Sequence, residues 1–329
     1  MFGRAAFTGA PASGGGSGRL KASETASNCP IVEKRRWWQD GHGRLRSQMK
    51  LLFSEHSPDY ATYSFPYAVW AVPEPDETPA DIFNAGFLPS GHSLERFYLG
   101  RQIRVALERF ELSSENRRIL RKGAGLNVDL VPRAKFVYTP ERRQFFKSYA
   151  DATFGADVMT LDRLDSLFDS PVCSHLLVFS DTQTGAEAGV AVLYLEGPAL
   201  AYYYYAFYDR GHPVRSLGMF MMTSAAELFA GRGCRHLYLG TCYSDSALYK
   251  TQFAGAEFFN GFHWSQNLAE LKYLVQRGQK PVRGHVLETE EYRAAFFPGG
   301  LAEMAAASAF RVDREKAKST GQTPESREH

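Results

Sequence analysis

Two short stretches carry residue types that could do chemistry. The first is Arg215-Ser216-Leu217-Gly218, at the head of a helical pattern directly behind the strand-like run YYYYAFYD. The first turn of a helix leaves backbone N–H groups unpartnered and carries the positive end of the dipole, so it can hold a phosphate. Gly218 would let that phosphate approach closely, and Arg215 would add charge. The second stretch is GTCYSDSALYKTQFAGAEFFNGFHW, residues 240–264, which sets Cys242, Tyr243, Tyr249 and Lys250 within nine positions behind a plain strand. A thiol needs activation to become a nucleophile, and no histidine lies beside Cys242, so it reads as a small strand-end residue. Tyr249, with Phe253 one turn on, reads either as packing or as a site residue, and Lys250 either as a solvated helix face or as a site residue.

Metal chemistry has no such support. The nine histidines form no HExxH and no His/Cys cluster at ligand spacing. Cys29, Cys173, Cys234 and Cys242 have neither CxxC spacing nor the density of a secreted scaffold, so reduced thiols in the cytoplasm are expected. The chain has 329 residues, 44% of them hydrophobic, enough for one large core or two ordinary ones. No run approaches the roughly 18 apolar residues of a spanning helix, so no membrane partner is expected. The net charge of +2 excludes little, but residues 96–147 hold thirteen Lys/Arg against five Asp/Glu. That local excess, with Arg117 and Arg118 as candidate substrate contacts, could meet several phosphates.

These groups need elements to position them. Residues 1–48, with ASGGGSG and few large apolar side chains, are expected to be disordered or a non-native extension, with Met49 as the true start. From 49 to 135 the chain offers an edge strand at PYAVWAV, a short helix near TPADIFNAGF and a half-buried strand in which Ile103, Val105 and Leu107 alternate with Arg104, Ala106 and Glu108. SSENRRILRKG follows as a helix with Ser113 or Ser114 as cap and Gly123 as terminator. From 136 to 300 the order is clearer. Thr139 and Pro140 open a helix, LDRLDSLF is a second, and HLLVFS, GVAVLYLE and LAYYYYAFYD are three antiparallel strands. A long helix ends at Gly231 and Gly233, HLYLG is a strand, ALYKTQF is a short helix closed by Gly255, and GFHWS is a last strand. Residues 301–329 read as a polar tail.

Helix, helix, three strands, long helix, strand, helix, strand resembles the acyltransferase fold of the GNAT superfamily. The expected class is therefore α/β (α+β) with a mixed, mostly antiparallel sheet, and the first half is a candidate diverged copy, giving two tandem GNAT-like halves. In those enzymes an R/Q-x-x-G-x-G/A stretch grips the pyrophosphate of acyl-CoA; here Arg215 to Gly218 match, but Phe220 stands where the last small residue belongs. The block from Arg215 to Leu274 is more specifically similar to the carboxyl-terminal half of arginyl-tRNA–protein transferases and their bacterial leucyl relatives. Ser216-Leu217-Gly218, Tyr238-Leu239-Gly240, Cys242-Tyr243, Tyr249-Lys250 and Trp264 carry that resemblance. A weaker echo runs through YSFPYAVWA, FNAGFLPSG and RVALERFELSSENRRILRK. The family's amino-terminal cysteine cluster is missing, since no cysteine falls between Cys29 and Cys173, so metal or iron–sulfur regulation is not expected; Leu88-Pro89 also replaces an Arg-Arg pair.

The resemblance implies transfer of an amino acid, arginine or leucine, from charged tRNA to the α-amine of a protein or peptide, with aminoacyl-tRNA as co-substrate and no other cofactor. Arg215, Ser216, Leu217 and Gly218 would hold the 3′ terminal phosphates. Tyr243 or Tyr249 would donate to the reacting carbonyl or leaving ribose oxygen, and Lys250 would meet phosphate or oxyanion. Tyr203, Tyr205 and Phe207 on one strand face, or Tyr202, Tyr204 and Tyr208 on the other, would line the cleft, with Cys242 beside them. Two rivals share the fold: an acetyl-CoA-dependent N-acetyltransferase, and a tRNA- or protein-binding relative that has lost the chemistry. No oligomeric state is implied.

Overall fold

A computed structural model of the chain describes residues 49–55, 59, 66–279 and 284–310; the expectation for the first 48 residues lies outside them. β1 (Lys50–Glu55) and β2 (Tyr67–Val72) are antiparallel, and α1 (Pro79–Asn84), β3 (Phe87–Pro89) and β4 (Phe97–Leu99) follow. These four strands form a small sheet in the order β1-β2-β4-β3, so PYAVWAV is an inner strand rather than an edge. Next come β5 (Gln102–Ala106), α2 (Ser114–Lys122), β6 (Leu126–Pro132), α3 (Pro140–Phe154), α4 (Leu161–Phe168), β7 (His175–Asp181), β8 (Glu187–Glu196) and β9 (Leu200–Tyr208). The chain then forms α5 (Leu217–Gly231), β10 (His236–Thr241), β11 (Ala256–Phe259), β12 (Trp264–Ser265), α6 (Leu268–Arg277), α7 (Glu290–Phe296) and α8 (Gly300–Ala307).

The large sheet has the order β12-β11-β5-β10-β9-β8-β7-β6. All its pairings are antiparallel except β9 with β10, the two strands joined through α5. This is the mixed, mostly antiparallel sheet expected from the sequence. β5 lies between β10 and β11, and β6 pairs with β7, so one sheet runs across the expected boundary at residue 135. The two sequence halves are not two separate sheets. The expected polar tail is also shorter, because α8 runs to Ala307 and Phe310 packs its ring on Phe87 and Phe259, at 6.0 and 6.2 Å.

Local chemistry explains most element starts. Ser113 and Asn116 form a reciprocal capping box at α2, Thr139 caps α3 ahead of Pro140, Thr160 caps α4 and Asn267 caps α6. The sheet then buries two faces. Leu177, Leu193, Tyr203, Phe220, Met221 and Leu237 share the core under α5, while Phe146, Phe168, Val190, Val192 and Phe207 share the one under α3 and α4.

Two expectations for single elements fail. β5 is buried at every position, Gln102 and Arg104 included, rather than half exposed. Arg104 is tolerated there because its guanidinium bonds Glu257 at 2.7 Å and Asn84 at 2.8 Å, and lies 3.7 Å from the centre of the Trp264 ring. ALYKTQF is not a helix closed by Gly255: a 3₁₀ segment spans Asp245–Thr251, and Gly255 instead leads into β11. With φ of +80° and the carbonyl of Ala106 2.5 Å from where a Cβ would stand, position 255 accepts only glycine. No helix among the described residues is long and apolar enough to cross a membrane.

Candidate active site

The parallel strands β9 and β10 pair only from His236 with Leu200 to Tyr238 with Tyr202. Past that point β9 stays with β8 as far as Tyr208, and β10 stays with β5 as far as Thr241. The sheet therefore opens between Tyr203–Tyr208 and Leu239–Tyr243. Each strand is irregular where they part. On β9, Val192 faces Tyr205 and Leu193 faces Tyr203, which leaves Tyr204 as an extra residue. On β10 the register shifts between Tyr238 and Thr241, with Gly240 at φ +77°.

The bulge at Tyr204 reverses the expected alternation. Tyr203 points to the α5 face, whereas Tyr205 and Phe207 stack at 6.2 Å on the opposite face. The set Tyr203, Tyr205 and Phe207 is thus divided between the two sides of the sheet, because an extra residue shifts a period of two by one.

At the end of β10, Tyr243 is 53% exposed and Cys242 is fully buried. The phenolic oxygen of Tyr243 accepts the backbone N–H of Arg101 at 2.8 Å, and the Arg101 guanidinium lies 5.0 Å from its ring centre. With its oxygen engaged as an acceptor, the hydroxyl of Tyr243 keeps its proton for another partner. The N–H of Cys242 donates to the carbonyl of Arg101 at 2.8 Å. Burial raises the Cys242 thiol above its ordinary value, against the opposing pull of Lys250 and Arg101. A protonated, buried thiol is a poor nucleophile.

Lys250 turns back to the same strand end, its Nζ donating to the carbonyl of Thr241 at 2.8 Å. It is not a solvated helix face. Burial lowers its pKa to about 8, while Cys242 pulls slightly the other way. Burial likewise pulls Arg101 below the usual arginine range, with Tyr243 and Cys242 opposing. Neither cation has a carboxylate partner among the described residues. The strand end is therefore electropositive and suited to an anion or a developing negative charge. Tyr249 is pushed up to about 12, mainly by burial and then by Tyr208 and Cys242 nearby, so it stays a neutral phenol.

The head of α5 completes the opening. Arg215 and Ser216 are exposed, and Ser216 adopts φ +67° with no side-chain cap. Met219 and Phe220 both donate to the Ser216 carbonyl, at 2.9 and 3.0 Å; among the described residues the amides of Leu217 and Gly218 have no such partner. Gly218 makes room for a phenol: the hydroxyl of Tyr208 lies 2.8 Å from where its Cβ would be. Phe220 turns inward, its ring occupying the space over Gly123. Side chains link this turn to the segment beyond β10, since Tyr208, Met219 and Tyr249 pack against the same core that holds Cys242, and Gln252 Nε2 lies 3.1 Å from Met219 Sδ. The Tyr203 hydroxyl is buried and has no hydrogen-bond partner among the described residues.

Arg117 and Arg118 are not brought to this opening by any contact. Both sit on α2, where Arg118 pairs with Glu115 and Arg117 bonds the Leu112 carbonyl. Much of the 96–147 excess is neutralised by carboxylates distant in sequence: Arg104 and Arg109 by Glu257, Arg142 by Glu187, Arg143 by Asp165 and Arg133 by Asp169. Tyr208, one of the two strand-face sets expected to line the cleft, does reach this opening, whereas Arg101 is a site residue that sequence reasoning did not single out. Arg101 had one signal, its place in the charge excess, but nothing in sequence ties it to a tyrosine 142 positions away. No cluster of three or more metal-ligating side chains occurs among the described residues.

No family model matches the chain. It is 31% identical over 153 residues to the aspartate/glutamate leucyltransferase of Methylorubrum populi, a match covering 42% of this chain and 59% of that protein. It is 30% identical over 181 residues to the aspartate/glutamate leucyltransferase of Methylobacterium sp. (strain 4-46), covering 50% and 71%, and 25% identical over 229 residues to that of Alkalilimnicola ehrlichii, covering 63% and 94%. The chain thus spans less than two thirds of the length of the Methylorubrum relative. Solved structures are more distant: L-PGS from Bacillus licheniformis has a TM-score of 0.34 at 12% identity, covering 54% of this chain and 64% of that one. A tandem GNAT protein from the clavulanic acid biosynthesis pathway has 0.32 at 15%, covering 65% and 62%. On the curated matches, the chain belongs to the aspartate/glutamate leucyltransferase family.

Proposed function

We propose that this protein transfers an aminoacyl group from the 3′ ester of a charged tRNA to the α-amine of a protein or peptide. The names of the relatives favour leucine as the group moved and an initial Asp or Glu as the acceptor; the relatives above are not named for arginine. The observation that carries the reading is the opening between β9 and β10, with unpartnered amides at the head of α5 on one side and the oriented hydroxyl of Tyr243 on the other.

The chemistry asks little of the protein. An α-amine has a pKa near 8, so roughly a tenth is neutral at pH 7, and the ester is already activated. The amine nitrogen bonds to the ester carbon, a tetrahedral oxyanion forms, the bond to the ribose oxygen breaks, and the proton lost from nitrogen ends on that oxygen. Tyr243 donates to the leaving oxygen, while Arg101 and Lys250 supply positive potential for the oxyanion. Arg215 and the amides of Leu217 and Gly218 receive the terminal phosphates, with the Tyr208 phenol beside them.

The test offers purified protein leucyl-tRNA, arginyl-tRNA and acetyl-CoA in parallel, with peptides beginning in Asp, Glu, Lys or Arg. Label should pass from leucyl-tRNA to the acidic peptides, and Arg215→Ala should weaken tRNA binding. Transfer from acetyl-CoA alone would favour an acetyltransferase, and salt-dependent tRNA binding without turnover a binding protein; either result discards the proposal.

A further inference from the structure

The face of β9 opposite α5 carries a second group of polar side chains. The bulge turns Tyr204 and Tyr205 toward α4 and the loop before β4, their rings 4.5 Å apart. Tyr204 donates its hydroxyl to the Gly91 carbonyl at 3.3 Å, and the His92 ring meets its ring edge-on with centroids 6.4 Å apart. His92 Nδ1 is 3.1 Å from Ser166 Oγ, which ties the same loop to α4.

Into this group comes the guanidinium of Arg163. Arg163 stands on α4 one turn before Ser166, the residue that meets His92, and it acts electrostatically on Tyr204, Tyr205 and His92. One of its nitrogens donates to the Val158 carbonyl at 3.0 Å, which holds the side chain in place. Its neighbours on α3 are neutralised, Arg143 by Asp165 and Lys147 by Asp151. Arg163 has no carboxylate partner among the described residues. A fixed guanidinium beside phenol donors fits a planar carboxylate. The Tyr98 ring and the Tyr243 hydroxyl both lie against Gly100, 3.1 and 3.6 Å from where its Cβ would stand, and Tyr98 also feels Tyr205 electrostatically, so this group adjoins the mouth of the opening.

Resting on the transfer reading above, we propose that Arg163, with the Tyr205 phenol and the His92 imidazole, binds the side-chain carboxylate of the acceptor's first residue. The donor's phosphates then lie on the α5 face and the acceptor's acidic side chain on the other. Arg163 is a specificity-determining residue, not a catalytic one.

The experiment measures kcat and KM for leucyl transfer to four peptides that differ only in starting with Asp, Asn, Glu or Gln, using wild type, Arg163→Gln and Tyr205→Phe. Wild type should favour Asp over Asn by about 100-fold or more in kcat/KM. Arg163→Gln should raise KM for the Asp and Glu peptides about 30-fold or more, leave kcat within threefold, and bring Asp and Asn within about threefold of each other. Tyr205→Phe should show the same pattern at a smaller amplitude. Both variants should keep the wild-type melting temperature and leucyl-tRNA affinity. An unchanged Asp/Asn ratio in Arg163→Gln, with transfer intact, overturns this subsite and leaves the transfer reading standing. No transfer by wild type from charged tRNA to any peptide overturns both.

Discussion

The backbone N–H of Arg101 donates to the phenolic oxygen of Tyr243 at 2.8 Å, and the same arginine places its guanidinium 5.0 Å from the ring centre. One residue thus fixes both the position of the hydroxyl and the potential around it. Tyr243→Phe removes the proton donor but keeps the stacked ring. We expect kcat for leucyl transfer to fall about 100-fold, with KM within threefold. Because Tyr243 is 53% exposed, the melting temperature should not move. Single-turnover transfer from leucyl-tRNA checks this, and a rate within twofold of wild type would remove Tyr243 from the chemistry.

Lys250 makes stability depend on pH. Burial lowers its pKa from 10.5 to about 8 in the fold. Between those values the unfolded chain binds the proton more tightly, so the fold gains stability as pH rises from about 8 to about 10.5 and loses it again as pH falls. The slope from this group is at most about 1.4 kcal/mol per pH unit. Lys250→Met should flatten that rise. Urea unfolding of both proteins across this range gives the comparison; parallel curves would show that the ammonium is not held out of water.

Gly218→Ala would put a methyl 2.8 to 3.0 Å from the hydroxyl and ring carbons of Tyr208, a ring that also packs on Tyr149 at 4.8 Å. The gain in helix propensity, at most about 1 kcal/mol, is smaller than the cost of moving a packed ring. We expect a net loss of about 1–2 kcal/mol and weaker tRNA binding. In the Gly218→Ala, Tyr208→Ala double variant the two stability losses should fall short of additive. Strict additivity would mean that the glycine does not make room for the phenol.

Glu257 holds two cations, Arg104 at 2.7 Å and Arg109, from a strand position where its side chain is 10% exposed. Burial pushes its carboxyl up, and the two arginines more than reverse this. Glu257→Gln leaves Arg104 buried without a counter-charge and should cost about 3–5 kcal/mol in chemical denaturation. A loss below 1 kcal/mol would show that the Trp264 ring alone accommodates the guanidinium.

Much of this fold was legible because caps and alternation are local. Ser113, Thr139 and Pro140 announced their helices, and the order of strands around α5 announced the acyltransferase sheet. The head of α5 and the Cys242–Lys250 segment were readable as candidates for the same reason. What escaped was long-range. β5 looks half exposed until β10 and β11 close on both its edges, and the basic window looks free until Glu187 and Glu257 arrive from elsewhere in the chain. The division of the tyrosines failed at one residue: nothing in YYYYAFYD marks Tyr204 as the bulge, and a single insertion is enough to exchange the faces. Arg163 was invisible because α4 gives no hint that it packs beside β9.

The placement of β5 bears on how such a chain can vary. Its five residues come from the first half yet wedge between two strands of the second. Grafting a foreign amino-terminal half onto this protein would therefore import a central rib of the large sheet, along with the arginine that steers Tyr243. The chain is not a pair of interchangeable cassettes, and hybrids spliced near residue 135 will succeed only where donor and host agree on that rib.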